Sequence, residues 1–189
     1  FLINNVLFLA VIAVTLWGVI FPLFSDLMRD VSVSVSAPYF DRVNGPILLG
    51  IVLMMGIGPL LPWRKASARS LRQWFVWPIT VGVITIIALI AVDVKRPVAI
   101  FSFGAIAFVS ASILEEWWRG TLARHRSGDR WALAWWRLVN GNRPRHGGYI
   151  VHISILMLGL GIIGTNFFQQ RTDVALALGE SVVIDNYRI

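Results

Sequence analysis

The stretch GGYIVHISILMLGLGIIGTNFF, from Gly147 to Phe168, decides the class of this protein. It is apolar and long enough to cross a bilayer, which takes about 20 residues in a helix. His152 is the only side chain in it that can carry a charge near neutral pH. Ionisable groups are costly within a membrane and by default indicate a functional site. A neutral imidazole is also a common axial ligand of haem iron, so His152 is the first candidate functional residue.

Four more apolar stretches precede this one in a chain of 189 residues that is 57% hydrophobic and 14% charged. The five predicted spans are residues 1–24, 43–61, 74–92, 97–114 and 147–168. Each run is close to the ~20 residues that a membrane helix needs, and the runs are continuous rather than alternating, which favours helices over barrel strands. The sequence therefore predicts an all-α polytopic membrane protein with about five transmembrane helices in a module over residues 1–168.

The basic residues are concentrated in two segments between spans. The chain has 17 Lys and Arg residues against 10 Asp and Glu residues, a net charge of +7. The segments after the second and fourth spans contain Arg64, Lys65, Arg69, Arg72, Arg119, Arg124, Arg126, Arg130, Arg137, Arg143 and Arg145. Because cytoplasmic loops are enriched in Lys and Arg, both segments are predicted to be cytoplasmic and the C-terminal tail extracytoplasmic. This topology accounts for the charge, so no nucleic-acid partner is expected.

The predicted spans leave an outer loop at Ser25–Arg42, a tight outer turn at Asp93–Arg96, and a long inner loop between the fourth and fifth spans. Tryptophans mark the inner ends of spans two to four, as interfacial anchors do: Trp63, Trp74, Trp77, Trp117 and Trp118. The chain begins with Phe1 inside an apolar span, so we expect it to be a segment of a longer protein. Cysteine is absent, and any redox role would need a cofactor.

Two segments outside the spans have their own patterns. RWALAWWRLV, residues 130–139, places Trp131, Trp135 and Leu138 at i, i+4 and i+7, which predicts an amphipathic helix on the inner leaflet. TDVALALGESVVIDNYRI, from Thr172 to Ile189, alternates and contains a Gly-Glu turn. Residues 169–189 are therefore predicted to begin an extracytoplasmic β domain.

Several polar residues of the inner loop have simple interpretations. His125 and His146 lie among arginines, where a bound cation is disfavoured, and are expected to be solvated. Glu115 and Glu116 are interpreted as exposed interfacial charges rather than as a catalytic pair. The chain contains no Ser, His and acid combination, no HExxH motif and no phosphate-binding loop.

Gly159, Gly161 and Gly164 match the GxGxxG pattern of dinucleotide-binding proteins. That motif requires a preceding strand and a following helix, whereas this one lies within a predicted membrane span, so helix packing through small residues explains it better. Gly159 follows His152 by seven residues and shares roughly one helical face with it. A flat macrocycle on that face would find room at Gly159.

From the residues alone, His152 remains open between three interpretations. It is a haem ligand, a proton relay in an ion- or solute-translocating subunit, or a neutral histidine that is hydrogen-bonded to a neighbouring helix in a scaffold subunit. Its position five residues past Gly147 puts it ~8 Å into the span, at ~1.5 Å per residue, in the inner half of the bilayer.

Five segments resemble the CcmF/NrfE family of cytochrome c maturation proteins. They are LINN (2–5), APYFDRV (37–43), MGIGPLLPWR (55–64), ILEEWWRGTLARH (113–125) and RPRHGGYIVHISI (143–155). The resemblance runs through essentially all of the chain, and MGIGPLLPWR and GGYIVH are its most specific pieces. Because that family is much longer, the chain looks like its later third, and the family's tryptophan-rich haem-handling loop and first intramembrane histidine would lie upstream.

This resemblance implies a function. His152 matches the family's second intramembrane histidine, an axial ligand of a b-type haem that is thought to reduce the iron of incoming haem before its attachment to a CxxCH apocytochrome. The implied protein is a membrane subunit of a cytochrome c haem lyase in the bacterial plasma membrane. Its implied partners are other maturation subunits, a haem chaperone, apocytochrome c and the lipid bilayer.

Overall fold

A computed structural model describes residues 2–29, 33–61, 68–169, 181, 183–184 and 187–188. In order along these residues, the helices are α1 (Leu2–Arg29), α2 (Ala37–Leu60), α3 (Ala68–Ala91), α4 (Pro97–Arg126), α5 (Trp131–Gly141) and α6 (Arg143–Phe168). Two short strands follow, β1 (Val183–Ile184) and β2 (Tyr187–Arg188), and they pair antiparallel.

The described residues contain five helices that are long and apolar enough to cross a membrane. These are α1 to α4 and α6, one for each predicted span, so the prediction of an all-helical membrane module with five spans is confirmed. The fold therefore defines a multi-pass membrane protein. Most of residues 169–189 lie outside the described residues, and the β domain stays a prediction.

Several helices extend beyond the predicted spans, because the apolar run ends at charged residues and the helix does not. The predicted loop Ser25–Arg42 is largely helical, since α1 continues to Arg29 and α2 begins at Ala37. Likewise, α4 continues to Arg126, and the predicted long inner loop is mostly helix. Prolines mark the true starts: α2, α4 and α6 each carry a proline in the first turn, where its missing N–H costs no hydrogen bond.

Helix α4 is the centre of the bundle. It packs against α2, α3, α5 and α6, whereas α1 packs mainly on α2. Half of the apolar window of α4 is buried inside the protein, against 6% for α1. One buried cluster joins α4 to α6 and consists of Ala99, Ile106, Val109, Ile113, Tyr149, Leu156 and Ile163. The position of α6, and of any site on it, is therefore set by α4.

Two glycines allow neighbouring helices to approach α4 closely. A Cβ at Gly56 of α2 would lie 2.8 Å from Phe108 and 3.1 Å from the backbone Cα of Val109. A Cβ at Gly104 of α4 would lie 2.6 Å from Ile86 of α3. Small residues permit such close packing. Membrane helices depend on it because the lipid is as apolar as the helix surfaces, so the hydrophobic effect does not drive the helices together.

The predicted turn between α3 and α4 is confirmed. Residues 92–96 connect the two helices, and Asp93 has a φ of 60°, a left-handed conformation that Asp tolerates better than most residues. The exposed ion pair between Lys95 and Asp93, at 3.1 Å, lies in the same turn.

Candidate functional site

His152 lies on α6, at the edge of the face that packs on α4. Tyr149, Leu156 and Ile163 form the buried stripe of α6, at intervals of seven residues, which keep to one face of a helix. His152 is about 40° round the helix from Leu156, and its side chain is half-buried. Its imidazole therefore borders the α4–α6 interface without being enclosed by it.

The two ring nitrogens of His152 are in different surroundings. Nδ1 is buried and has no hydrogen-bond partner among the described residues. The alternative of a histidine hydrogen-bonded to a neighbouring helix finds no partner for Nδ1 in the described part of the chain.

Gly159 lies on the same flank of α6 as His152. A Cβ built at Gly159 would meet only Ile106 of α4, at 3.5 Å, an ordinary van der Waals contact. Gly161 and Gly164 have nothing within 4 Å of such a Cβ. The GxGxxG pattern thus lies inside a helix, as expected, and of its glycines only Gly159 has a described residue of a neighbouring helix within van der Waals contact of a Cβ built there.

The described residues contain no group of three or more His, Cys, Asp or Glu side chains that could hold a metal ion. A single imidazole can instead be an axial ligand of a metal that a cofactor already holds, such as the iron of a porphyrin. His152 is therefore the candidate for a cofactor contact in the described part of the chain.

His146 is buried, and the expectation that it is solvated is wrong. Only 3% of its surface is exposed, and its Nδ1 accepts a hydrogen bond of 3.1 Å from Nε1 of Trp117. Its ring also meets that of Tyr149 edge to face, at 5.7 Å. The sequence interpretation failed because it placed His146 in a loop, whereas the residue is in the first turn of α6, facing α4.

Glu116 is held in the same contact region. Arg145 donates hydrogen bonds to Glu116 Oε1 at 2.6 Å and to the Tyr149 hydroxyl at 2.9 Å. The expectation of two exposed glutamates is therefore wrong: both are half-buried, and Oε2 of Glu115 is buried without a partner among the described residues. Glu116 and Trp117 are consecutive in sequence, as are Arg145 and His146, and the two pairs offer an acid for a base and an N–H donor for a ring-nitrogen acceptor. This complementarity was the signal that the sequence carried for the contact.

The predicted amphipathic helix exists as α5, but its predicted apolar face contacts α4. Trp131 stacks on Trp118 at 5.3 Å, and Trp135 meets Trp117 edge to face at 6.2 Å. Leu138 packs against Gly120 of α4, and a Cβ built at Gly120 would lie 2.7 Å from the Leu138 side chain. Among the tryptophans predicted as interfacial anchors, Trp117 donates a hydrogen bond to another side chain of the protein. Trp63 lies outside the described residues.

The fold and the intramembrane histidine define a multi-pass membrane protein with one candidate cofactor ligand. The chain is 24% identical over 189 residues to the cytochrome c-type biogenesis protein CycK of Rhizobium meliloti, covering 99% of this chain. It is 28% identical over 195 residues to the cytochrome c-type biogenesis protein ccl1 of Rhodobacter capsulatus. It is 27% identical over 186 residues to the cytochrome c-type biogenesis protein CcmF of Haemophilus influenzae. The last two alignments each cover 98% of this chain.

These relatives confirm the resemblance to the CcmF family of cytochrome c-type biogenesis proteins. The chain spans only 27 to 28% of the length of these relatives. No protein-family model and no solved structure matches it.

Proposed function

We propose that this chain is part of a membrane haem lyase of cytochrome c maturation, in which His152 is one axial ligand of a b-type haem. The observation that carries the proposal is the unpaired imidazole of His152 in an apolar helix, on a chain similar over nearly its whole length to cytochrome c-type biogenesis proteins. The other ligand would come from outside this chain. A b-type haem bound there would supply one-electron redox chemistry.

The residues around His152 suit such a group. Because Nδ1 of His152 is buried, Nε2 would be the nitrogen that binds the iron. Leu156 and Tyr149, buried on either side along α6, hold the helix against α4 and so limit rotation of the imidazole. Gly159, on the same flank, adds no side chain that would obstruct a flat ring. The role of the chain is thus to orient one ligand and to exclude water.

Membership of a maturation complex follows from the same proposal. The partners would be other maturation subunits, a haem chaperone and apocytochrome c, in a bacterial plasma membrane with the C-terminal tail outside. Arginines concentrated at one end of α4 and α6 support this orientation, because basic residues are retained on the cytoplasmic side.

The test is an optical spectrum of the full-length protein, purified with its complex. We expect a b-type absorption spectrum that His152→Ala weakens and that added imidazole partly restores. Ser154→Ala is the matched control, because Ser154 lies on another face of α6 and its hydroxyl donates only to the carbonyl of Ile150. A spectrum unchanged by His152→Ala would overturn the proposal. Proton uptake into liposomes that depends on His152 and occurs without haem would instead support the interpretation of His152 as a proton relay.

A further inference from the structure

The end of the bundle formed by the last turn of α4 and the first turn of α5 has unbalanced positive charge. Arg137 pairs with Asp129 at 2.6 Å, and Arg145 pairs with Glu116 at 2.6 Å. Arg126 and Arg130 are both exposed, and neither makes an ion pair or a side-chain hydrogen bond with another described residue. Asp129 and Glu116 are thus already matched, and the guanidinium groups of Arg126 and Arg130 have no acidic partner among the described residues.

Beside these arginines lies an open groove lined by His125, Arg130, Trp131, Ala132 and Leu133. Two contacts hold its aromatic wall in place. The rings of His125 and Trp131 stack at 4.2 Å, and Nδ1 of His125 donates a hydrogen bond of 2.7 Å to the carbonyl oxygen of Asp129. The groove therefore combines a basic rim, a fixed aromatic wall and an apolar floor.

Exposed apolar side chains continue from the groove along α5. The exposed fraction is 40% for Leu133 and 61% for Trp136, and Trp118 on α4 is exposed to 58%. Trp118 follows the end of the predicted fourth span, residue 114, by four residues or about 6 Å along α4, which is within the depth of the lipid headgroups. Trp131 of α5 stacks on Trp118. Tryptophan is favoured at that depth, and a helix with basic and apolar sides lies there in the plane of the membrane.

We propose that this groove binds the headgroup of an anionic phospholipid. The guanidinium of Arg130, supported by that of Arg126, would contact the phosphate, because planar guanidinium groups bind phosphate with paired hydrogen bonds. Leu133 and Trp136 would pack against the first carbons of the acyl chains. The inference is independent of haem binding by His152, so either proposal can fail without the other.

The test uses the full-length protein in nanodiscs of phosphatidylcholine that contain a trace of spin-labelled phosphatidylglycerol or spin-labelled phosphatidylcholine. We expect the protein to immobilise spin-labelled phosphatidylglycerol in preference to spin-labelled phosphatidylcholine. In Arg126→Gln/Arg130→Gln this preference falls by up to about fivefold for each arginine, the amount expected of one basic residue at an anionic surface. A second variant, Leu133→Ala/Trp136→Ala, weakens immobilisation while leaving the charge intact.

Lys95→Gln/Arg96→Gln is the matched control, because it removes two positive charges from the exposed turn at the opposite end of α4. We expect it to leave the lipid preference unchanged. An equal loss in both charge variants would overturn the proposal in favour of general electrostatic attraction. Displacement of the lipid by millimolar inorganic phosphate would overturn it in favour of a small-anion site, and absence of any preference in the unaltered protein would overturn it outright.

Discussion

The indole nitrogen of Trp117 donates a hydrogen bond of 3.1 Å to Nδ1 of His146, and this bond joins the end of α4 to the start of α6. A ring nitrogen that accepts a hydrogen bond carries no proton, so a neutral His146 has its proton on Nε2. With the Arg145–Glu116 pair beside it, the bond sets where α6 begins relative to α4. His152 follows less than two turns later, so its depth and rotation depend on this contact.

Trp117→Phe keeps an aromatic ring in the contact but removes its N–H donor. Nδ1 of the buried His146 then loses its partner, and we expect the free energy of unfolding to fall by about 1–3 kcal/mol. Denaturant unfolding of the protein in detergent measures this change. Trp118→Phe is the control, because Trp118 is 58% exposed. Equal losses in the two variants would show that the hydrogen bond has no special weight.

Gly159→Leu tests whether the flank beside His152 accommodates a cofactor. Gly159 lies about 20° round α6 from His152 and about 10 Å further along it, so a leucine there would occupy space that a flat macrocycle bound at His152 would cover. We expect a weaker or shifted b-type spectrum in the purified complex. Gly164→Leu is the matched control, because nothing lies within 4 Å of a Cβ at Gly164. If the control alters the spectrum as strongly, the effect comes from general disturbance of α6.

Gly56→Ala is expected to destabilise the bundle by about 1–3 kcal/mol, as overpacking of a close contact does. The new methyl group would meet the ring of Phe108 at 2.8 Å and the backbone of Val109 at 3.1 Å, and backbone cannot move aside cheaply. Gly161→Ala, with open space around it, should be neutral or stabilising by up to about 1 kcal/mol. Thermal unfolding in detergent distinguishes the two, and similar values for both would contradict the packing of α2 on α4.

Asn44 on α2 donates a hydrogen bond of 3.1 Å to the hydroxyl of Thr15 on α1. Because α1 is otherwise the least buried span, this bond contributes to its attachment. A double-mutant cycle with Asn44→Ala and Thr15→Val should give a coupling energy of about 0.6 kcal/mol and at most about 1.7 kcal/mol, the range for such bonds between membrane helices. Strict additivity of the two substitutions would indicate that the bond does not form.

The sequence alone determined that this is an all-helical membrane module with five spans. Each span is a continuous apolar run, and a backbone in lipid satisfies its hydrogen bonds locally by becoming a helix, so no tertiary contact is needed. Sequence also singled out His152, because the cost of an ionisable group in an apolar helix does not depend on its neighbours. The apolar runs did not give the helix ends, because charged residues such as Asp26 and Arg124 stay helical beyond those runs.

Only the tertiary structure decided which polar residues are buried and what they contact. His146 and Glu116 read as solvated because their neighbours in sequence are charged, yet Trp117 and Arg145 reach them across the α4–α6 interface. The same interface places His152 at the edge of the buried stripe of α6. Such pairings depend on helix rotation and depth, which are set by the packing of whole helices, so complementary chemistry in two distant segments is the only signal that the chain carries for this one.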